Sequence, residues 1–399
     1  MIYSSFAGIT CNHGRRADWL DGLWSRWVRT DEDLRKARRI LFDAFPPLPT
    51  PQEAFRFQEL LAAEILSTEG EQSRTRSQSL KEHLRAVRLY GDALSSTLLS
   101  KYSIRQLARN SGKAPHLTGQ GNAFQLAVDC ARVIASNGIA ALLSDLTNVL
   151  RNGDLVVCVD PDSPISIECK LGKVKDPRFE RQGRRGRQLA RLESIHEFLR
   201  TGRGVIFGEE KERITVKVAH TPQFGYALVD KLVVSALDHK PLALNPSSAE
   251  FYAASILGEV ADVQPALEAW KTSKGDHFAL GSSLDPLRSG TWPDVPPPIL
   301  WGISPAARWA LMEGDVAISH AMRVEALVGL ASGNIRVTSV IDQPGRIPWG
   351  YQIQVGDKYL SLSANLVLQV LYCHETVASV GEELLEQAEK AFALFGGAV

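Results

Sequence analysis

The sequence predicts an α/β chain: a mixed-sheet core, a helical N-terminal region and a mixed α/β C-terminal domain. Three observations predict it. The first is a strand-turn-strand unit. Gly153-Asp154-Leu155-Val156-Val157 and Ile165-Ser166-Ile167-Glu168-Cys169-Lys170 flank Asp160-Pro161-Asp162-Ser163-Pro164, which cannot continue a strand. The second is an apolar-periodic helix before it, opened by Gly121-Asn122-Ala123-Phe124-Gln125 and running to Ala135. The third is a helix after it, Gln188 to Leu199, with Leu189, Leu192, Ile195 and Phe198 or Leu199 on one face.

The remaining elements follow in chain order. Residues 1–115 read as a helical region. Asp31 to Phe45 is amphipathic and stops at Pro46-Pro47-Leu48-Pro49; Gln52 to Leu66 and Leu80 to Leu99 follow, separated by a polar stretch from Thr68 to Ser79. Gly91 interrupts the last of these, and a mid-helix glycine costs about 1 kcal/mol, so close packing is expected there. Residues 116–242 form the predicted core. Its expected further strands are Gly204 to Phe207 and Arg213 to Ala219, and its closing helix is Phe224 to Asp238. Residues 243–298 read as a helical segment, with helices over Ser247 to Ala261 and Val263 to Thr272, then a Pro-rich linker from Leu284 to Pro298. Residues 299–399 form the C-terminal α/β domain. Ile335 to Ile341, Tyr351 to Val355 and Leu366 to Tyr372 read as strands, and Val377 to Phe395 as the last helix.

The chemistry concentrates on the hairpin. Side chains alternate along a strand, so Glu168 and Lys170 share a face. A turn centred on Asp162 would set Asp154 opposite Lys170, with all three side chains on one side of the ribbon. Two carboxylates and an ammonium there are the equipment for holding a divalent cation and activating water. Mg²⁺ takes oxygen ligands and keeps several waters, so one or two carboxylates suffice. The carbonyl of Cys169 is a further candidate ligand.

Asp154, a gap of 13 residues, then Glu168-Cys169-Lys170 resembles the PD-(D/E)XK nuclease superfamily, the restriction-endonuclease-like fold. The resemblance covers residues 116–242. It implies that Asp154 and Glu168 bind Mg²⁺ or Mn²⁺ and that Lys170 assists the attack on the phosphate. The literal Pro161-Asp162 pair belongs to the turn. Many relatives open the preceding helix with Gly-x-x-Phe-Glu, the Glu joining the metal site; this chain has Gln125 there. Asp145 is another accessory candidate. Relatives also carry Gln, Lys or Arg on the following helix, which makes Gln182 and Gln188 candidates.

Between Lys170 and Arg191 the chain carries nine Lys or Arg against two acidic residues. Lys173, Lys175, Arg178, Arg181, Arg184, Arg185, Arg187 and Arg191 are the candidate phosphate contacts, since clustered cations are rewarded by a nucleic-acid backbone.

Composition bounds the rest. The formal net charge is +0, so the cations are local and a general nucleic-acid coating role is disfavoured. Cys11, Cys130, Cys158, Cys169 and Cys373 show no paired spacing and fit reduced thiols, hence a cytoplasmic location. No apolar run approaches ~18 residues, so no membrane association is expected. The first thirty residues do not resemble a signal peptide. There is no Walker-type phosphate loop and hence no evident ATPase. Trp19, Leu23 and Trp27 fall on one helical stripe, an apolar surface suited to a homodimer. The expected activity is metal-dependent endonuclease hydrolysis of phosphodiester bonds, with DNA as the substrate. An anti-phage or restriction role, with a partner protein of the same system, is expected from the type. The alternative is an inactive nuclease fold that binds nucleic acid or acts as a scaffold.

Overall fold

The computed structural model describes residues 29–108, 114–169, 184–204, 213–214, 216–256, 264–270, 278–283, 295–342 and 349–395. Trp19, Leu23 and Trp27 lie outside them. The chain is mixed α/β and divides into two units, residues 1–213 and 214–399. The helical N-terminal region is part of the same unit as the hairpin sheet.

That unit opens with α1 (Asp31–Ala44), α2 (Pro51–Thr75), α3 (Gln78–Leu98) and α4 (Lys101–Leu107). Reciprocal capping boxes start the first two, Thr30 with Asp33 and Thr50 with Glu53. Helix α2 continues through Thr68–Thr75, which its polarity had marked as a break. Those polar side chains are paired inside the unit instead: Glu69 with Arg88, Glu71 with Arg29, and the Thr68 hydroxyl donating to Glu64.

Helix α5 (Asn122–Ser136) leads into an antiparallel sheet of order β1-β2-β3, with β1 (Ala140–Leu143), β2 (Leu155–Cys158) and β3 (Ile165–Ile167). Buried Gln58 of α2 accepts from the Leu143 N–H at 2.7 Å and donates to the Ala141 carbonyl at 2.8 Å. One glutamine thus satisfies the backbone of the outer strand, where an open edge would otherwise invite a foreign strand. Helix α6 (Arg184–Thr201) follows the hairpin and buries Leu192, Ile195, Phe198 and Leu199, the face read from the sequence. The strands expected next are cut short to β4 (Arg203–Gly204) and β5 (Arg213–Ile214), and neither joins the β1-β2-β3 sheet. Residues 216–219 are not in a strand; 205–207 lie outside the described residues.

The second unit contains α7 (Tyr226–Leu237), β6 (Leu242–Ser247), β7 (Glu250–Ile256), α8 (Gln264–Trp270), β8 (Phe278–Ser282), α9 (Pro305–Glu313) and β9 (Val316–Arg323). The strands form an antiparallel sheet of order β6-β7-β9-β8. The helix expected over Ser247 to Ala261 is therefore wrong: its first ten residues lie in β6, a turn and β7. The reason is burial on both faces. Tyr252 and Ala254 pack with α7 and α9, while Phe251 and Ala253 pack with Leu267 and Trp270 of α8. A strand covered on both sides loses its apolar-polar alternation and cannot be told from a buried helix by period.

A second sheet runs β10-β11-β12-β13, with β10 (Ala331–Ser332), β11 (Ile335–Asp342), β12 (Trp349–Val355) and β13 (Lys358–Ser363). Val337, Tyr351 and Ile353 pack with α10 (Val367–Cys373) and α11 (Val377–Phe395). Leu366 to Tyr372, expected as a strand, is thus mostly α10. All seven residues of that helix are buried, which again erases the period. Val295, Pro297 and Pro298 are buried as well, so that end of the expected linker belongs to a core. Among the described residues no helix is long and apolar enough to cross a membrane.

Candidate metal site at the hairpin

The hairpin register decides what can meet. Leu155 pairs with Ile167, Val156 with Ser166 and Val157 with Ile165. The register is thus centred on Pro161, not Asp162. The pairing ends at Leu155 and Ile167; there the Asp154 N–H donates to the Ile167 carbonyl at 2.9 Å while the Asp154 carbonyl accepts from Ser144 N–H, so the regular strand geometry is broken at Asp154. The turn explains the shift. Ser163 N–H bonds the Asp160 carbonyl at 3.1 Å and Asp162 N–H bonds Asp160 Oδ1 at 3.0 Å, an aspartate-initiated turn with proline at its second position. Asp162 is a turn residue, as the sequence suggested.

Asp154 and Glu168 flank the ends of β2 and β3, and both are half-buried. The backbone N–H of Cys169 donates to Asp154 Oδ2 at 2.7 Å, which fixes that carboxylate against the end of β3. Gly153 precedes it with φ +81, and a Cβ there would collide with Ser166 Oγ. The Ser166 hydroxyl instead donates to the Asn152 carbonyl at 2.7 Å. Only glycine suits this approach, and it sets where Asp154 begins.

Asp145 is the third carboxyl of the group. It lies in the short 3₁₀ turn Ser144–Leu146 after β1, where Ser144 N–H bonds the Asp154 carbonyl at 3.1 Å. Burial raises its pKa above the usual carboxylate range. A hydrogen bond from Gln120 and the charges of Arg88 and Arg151 oppose that rise, and the negative charge of Glu168 adds to it. The charge of Glu168 thus reaches Asp145.

Gln125 Nε2 donates to Asp129 Oδ1 at 3.0 Å, one turn along α5. The glutamine that bonds Asp145 is Gln120. The sequence missed it because Gln120 stands in the loop before the helix, held by contacts distant in sequence. Arg88 Nη2 donates to Glu69 Oε1 at 2.9 Å and to the Pro115 carbonyl at 3.2 Å, while Thr118 N–H donates to Glu69 Oε2 at 3.0 Å. Arg88 Nε also reaches the Asp145 carbonyl at 3.3 Å. One buried ion pair thus holds the loop of Gln120 and the turn of Asp145.

Asp92, unexplained by the sequence, anchors the chain between Asp145 and the hairpin. It accepts from Asn148 N–H at 2.7 Å, from Asn148 Nδ2 at 2.8 Å and from Val149 N–H at 3.0 Å. A Cβ on neighbouring Gly91 would collide with the Leu146 carbonyl, so the expected close packing of that glycine is present. On the other side, Ser166 N–H donates to His196 Nε2 of α6 at 2.9 Å, and burial lowers that imidazole's pKa. The Cys169 thiol is pushed up by its hydrogen bond with Cys130 and by burial, with the charges of Asp154 and Glu168 adding to it.

Lys170, Lys173, Lys175, Arg178, Arg181 and Gln182 lie outside the described residues. Arg184, Arg185, Arg187 and Gln188 fall in the first turns of α6, and Arg191 is exposed on that helix. The described site is therefore Asp145, Asp154 and Glu168, with Gln120, Arg88 and Arg151 around Asp145. Comparisons with protein-family models, with curated proteins and with solved structures gave no match.

Proposed function

We propose that this chain is a divalent-metal-dependent nuclease acting on DNA, with Asp154, Glu168 and Asp145 as the metal-binding carboxylates. The observation that carries the reading is the hydrogen bond from Cys169 N–H to Asp154 Oδ2, which holds that carboxylate against the chain segment carrying Glu168, with Asp145 near enough to feel the charge of Glu168. The donor set fits a hard cation. It offers carboxylate oxygens from three separate backbone segments, and Asp145 is raised chiefly by burial, with the charge of Glu168 adding to it. Mg²⁺ or Mn²⁺ bound there would acidify a water and offset charge on the phosphate.

The chain's own residues do the rest. Cys169 N–H and the Ser144–Asp154 backbone bond hold Asp154 in place, and Gln120 orients Asp145. Lys170, two residues past Glu168, supplies the ammonium that stabilises charge gained by the phosphate. The basic run ending in α6 tracks the nucleic-acid backbone. An anti-phage or restriction setting is the biological role proposed with this chemistry.

A second reading, a nuclease fold that binds nucleic acid without cutting it, draws on Gln125. Its amide is turned to Asp129, so helix α5 brings no carboxylate from that position. Cleavage separates the two. Supercoiled plasmid should be nicked in Mn²⁺, Glu168→Gln should abolish this, and Lys170→Ala should lower turnover by ~10²-fold with metal binding retained. DNA binding without cleavage by the wild-type chain would support the second reading. Near-wild-type cutting by Lys170→Ala would remove that lysine from the mechanism.

A further inference from the structure

The second unit holds a cluster unrelated to the hairpin. Ser379 and Glu383 share one side of α11, and Glu375, just before the helix, is tied to that side by the Ser379 hydroxyl, which donates to Glu375 Oε1 at 2.7 Å. The extended residues 216–224 lie along it. Thr376 N–H donates to the Gln223 carbonyl at 2.8 Å, Gln223 N–H donates to Ser379 Oγ at 3.0 Å, and Phe224 forms a bridge with Glu375. This brings His220 Nε2 to 2.8 Å from Ser379 Oγ and 3.3 Å from Glu375 Oε1. One ligand atom from each of His220, Glu375 and Glu383 lies within 4.8 Å of the other two.

We propose that His220, Glu375 and Glu383 bind a transition-metal ion, with zinc as the best-matched class. Glu375 is 1% exposed and Glu383 0%. Taking two neighbouring carboxylates out of water is costly unless a cation or strong donors accompany them. The helix N-terminus favours Glu375, but that field fades within the first turn and Glu383 is beyond it. Gln387 donates to Glu383 Oε1 at 3.0 Å and Ser379 donates to Glu375 Oε1 at 2.7 Å, so both carboxylates are already oriented by neighbouring side chains, as metal ligands usually are. An imidazole in the set points away from Mg²⁺ and Ca²⁺, which take oxygen donors, and toward zinc and its neighbours. Zinc bonds of ~2.0–2.2 Å need the three atoms drawn in by roughly 1 Å, within the reach of side-chain rotation. The Ser379 hydroxyl donates to Glu375 and accepts from Gln223, so the hydrogen on His220 Nε2 points toward it. Binding through Nε2 moves that hydrogen to Nδ1, so the neutral ring ligates in its other tautomer. The bound ion would tie the 216–224 segment to α11.

The test uses the chelator-stripped full chain carrying Asp154→Asn, so that the hairpin carboxylates are disabled. Zn²⁺ is titrated against a chromophoric chelator, and thermal unfolding is followed with and without Zn²⁺. The expected result is one Zn²⁺ per chain and a raised melting temperature. His220→Ala and Glu383→Gln should each weaken binding by 100-fold or more and lose the thermal shift. Because Glu383→Gln is nearly isosteric and keeps an acceptor for Gln387, it guards against simple misfolding. Should both variants fail to fold, Co²⁺ in the parent decides, by visible bands showing nitrogen and oxygen ligation. No stoichiometric Zn²⁺ in the parent, equal binding by folded variants, or no Co²⁺ bands would overturn the proposal. Loss of plasmid cleavage alone would bear on the hairpin and leave this site standing.

Discussion

The ion pair between Arg88 and Glu69 joins the helical layer to the carboxylate group, and its removal has a calculable effect. Their side chains are 8% and 1% exposed, and their atoms approach to 2.9 Å. Glu69→Ala removes the partner carboxylate of a buried guanidinium that also donates to the Pro115 and Asp145 carbonyls, and strips Thr118 N–H of its acceptor. Breaking one partner of such a pair costs about 3–5 kcal/mol, most of it the uncompensated charge. Every ~1.4 kcal/mol is tenfold, so opening of α3 should become roughly 10²–10⁴-fold more frequent. The double variant Glu69→Leu with Arg88→Met removes both charges at similar volume. It should cost clearly less than Glu69→Ala alone, because replacing a buried pair by apolar residues is often close to neutral. Hydrogen exchange of the α3 amides reads this locally, which matters in a chain of two units where a single global transition is not assured. The same variants should loosen Gln120 and weaken Mn²⁺ binding at the hairpin. A loss below ~1 kcal/mol in Glu69→Ala, or a double variant worse than the single, would refute the reasoning.

Three further outcomes are expected. Gly91→Ala, a change that gains ~1 kcal/mol in an open helix, should instead destabilise by about 1–3 kcal/mol in urea denaturation, because its Cβ meets the Leu146 carbonyl. In the second unit, burial lowers the pKa of His320 from 6.5 to about 3 and that of His374 well below 6.5. The unfolded chain then binds more protons below pH 6.5, so stability falls as pH drops from 6.5 toward 3, by up to about 1.4 kcal/mol per pH unit for each histidine. Glu250, raised by burial, offsets part of this, so His374→Asn, which tolerates the φ of 55 there, should flatten the slope of calorimetric stability against pH. An unchanged slope would show that His374 is not held neutral. Neutralising Arg184, Arg185 and Arg187 together should lower the salt slope of DNA binding by up to roughly three phosphate equivalents. An unaltered slope would make that run a solvated surface.

Where local signals were strong, the sequence carried the structure. The helix after Gly121, the turn between Asp160 and Pro164 and the bounds of α11 all follow from residue chemistry within one or two turns. Burial on all sides concealed the rest. Phe251–Ser255 and Val367–Cys373 are apolar throughout, and no period distinguishes strand from helix in either. In α2, Thr68, Glu69 and Glu71 suggested a loop because their partners are far away in sequence. The site shows the same division. Asp154 and Glu168 could be placed at the ends of one hairpin from the sequence, although its pairing centres on Pro161 and not on Asp162. Gln120, Arg88 and His196 carried no sequence signal, because each reaches the hairpin only through tertiary contacts.

The most direct test of the account is Mn²⁺ binding followed by electron paramagnetic resonance, which counts free ion as it disappears. His220→Ala is used as the parent so that only the hairpin carboxylates are reported. The account predicts saturable Mn²⁺ binding that Asp154→Asn abolishes and Asp145→Asn weakens, with the fold intact by circular dichroism. Equal binding by Asp154→Asn, or a folded parent that binds no Mn²⁺, would contradict a metal site built on Asp154 and Glu168.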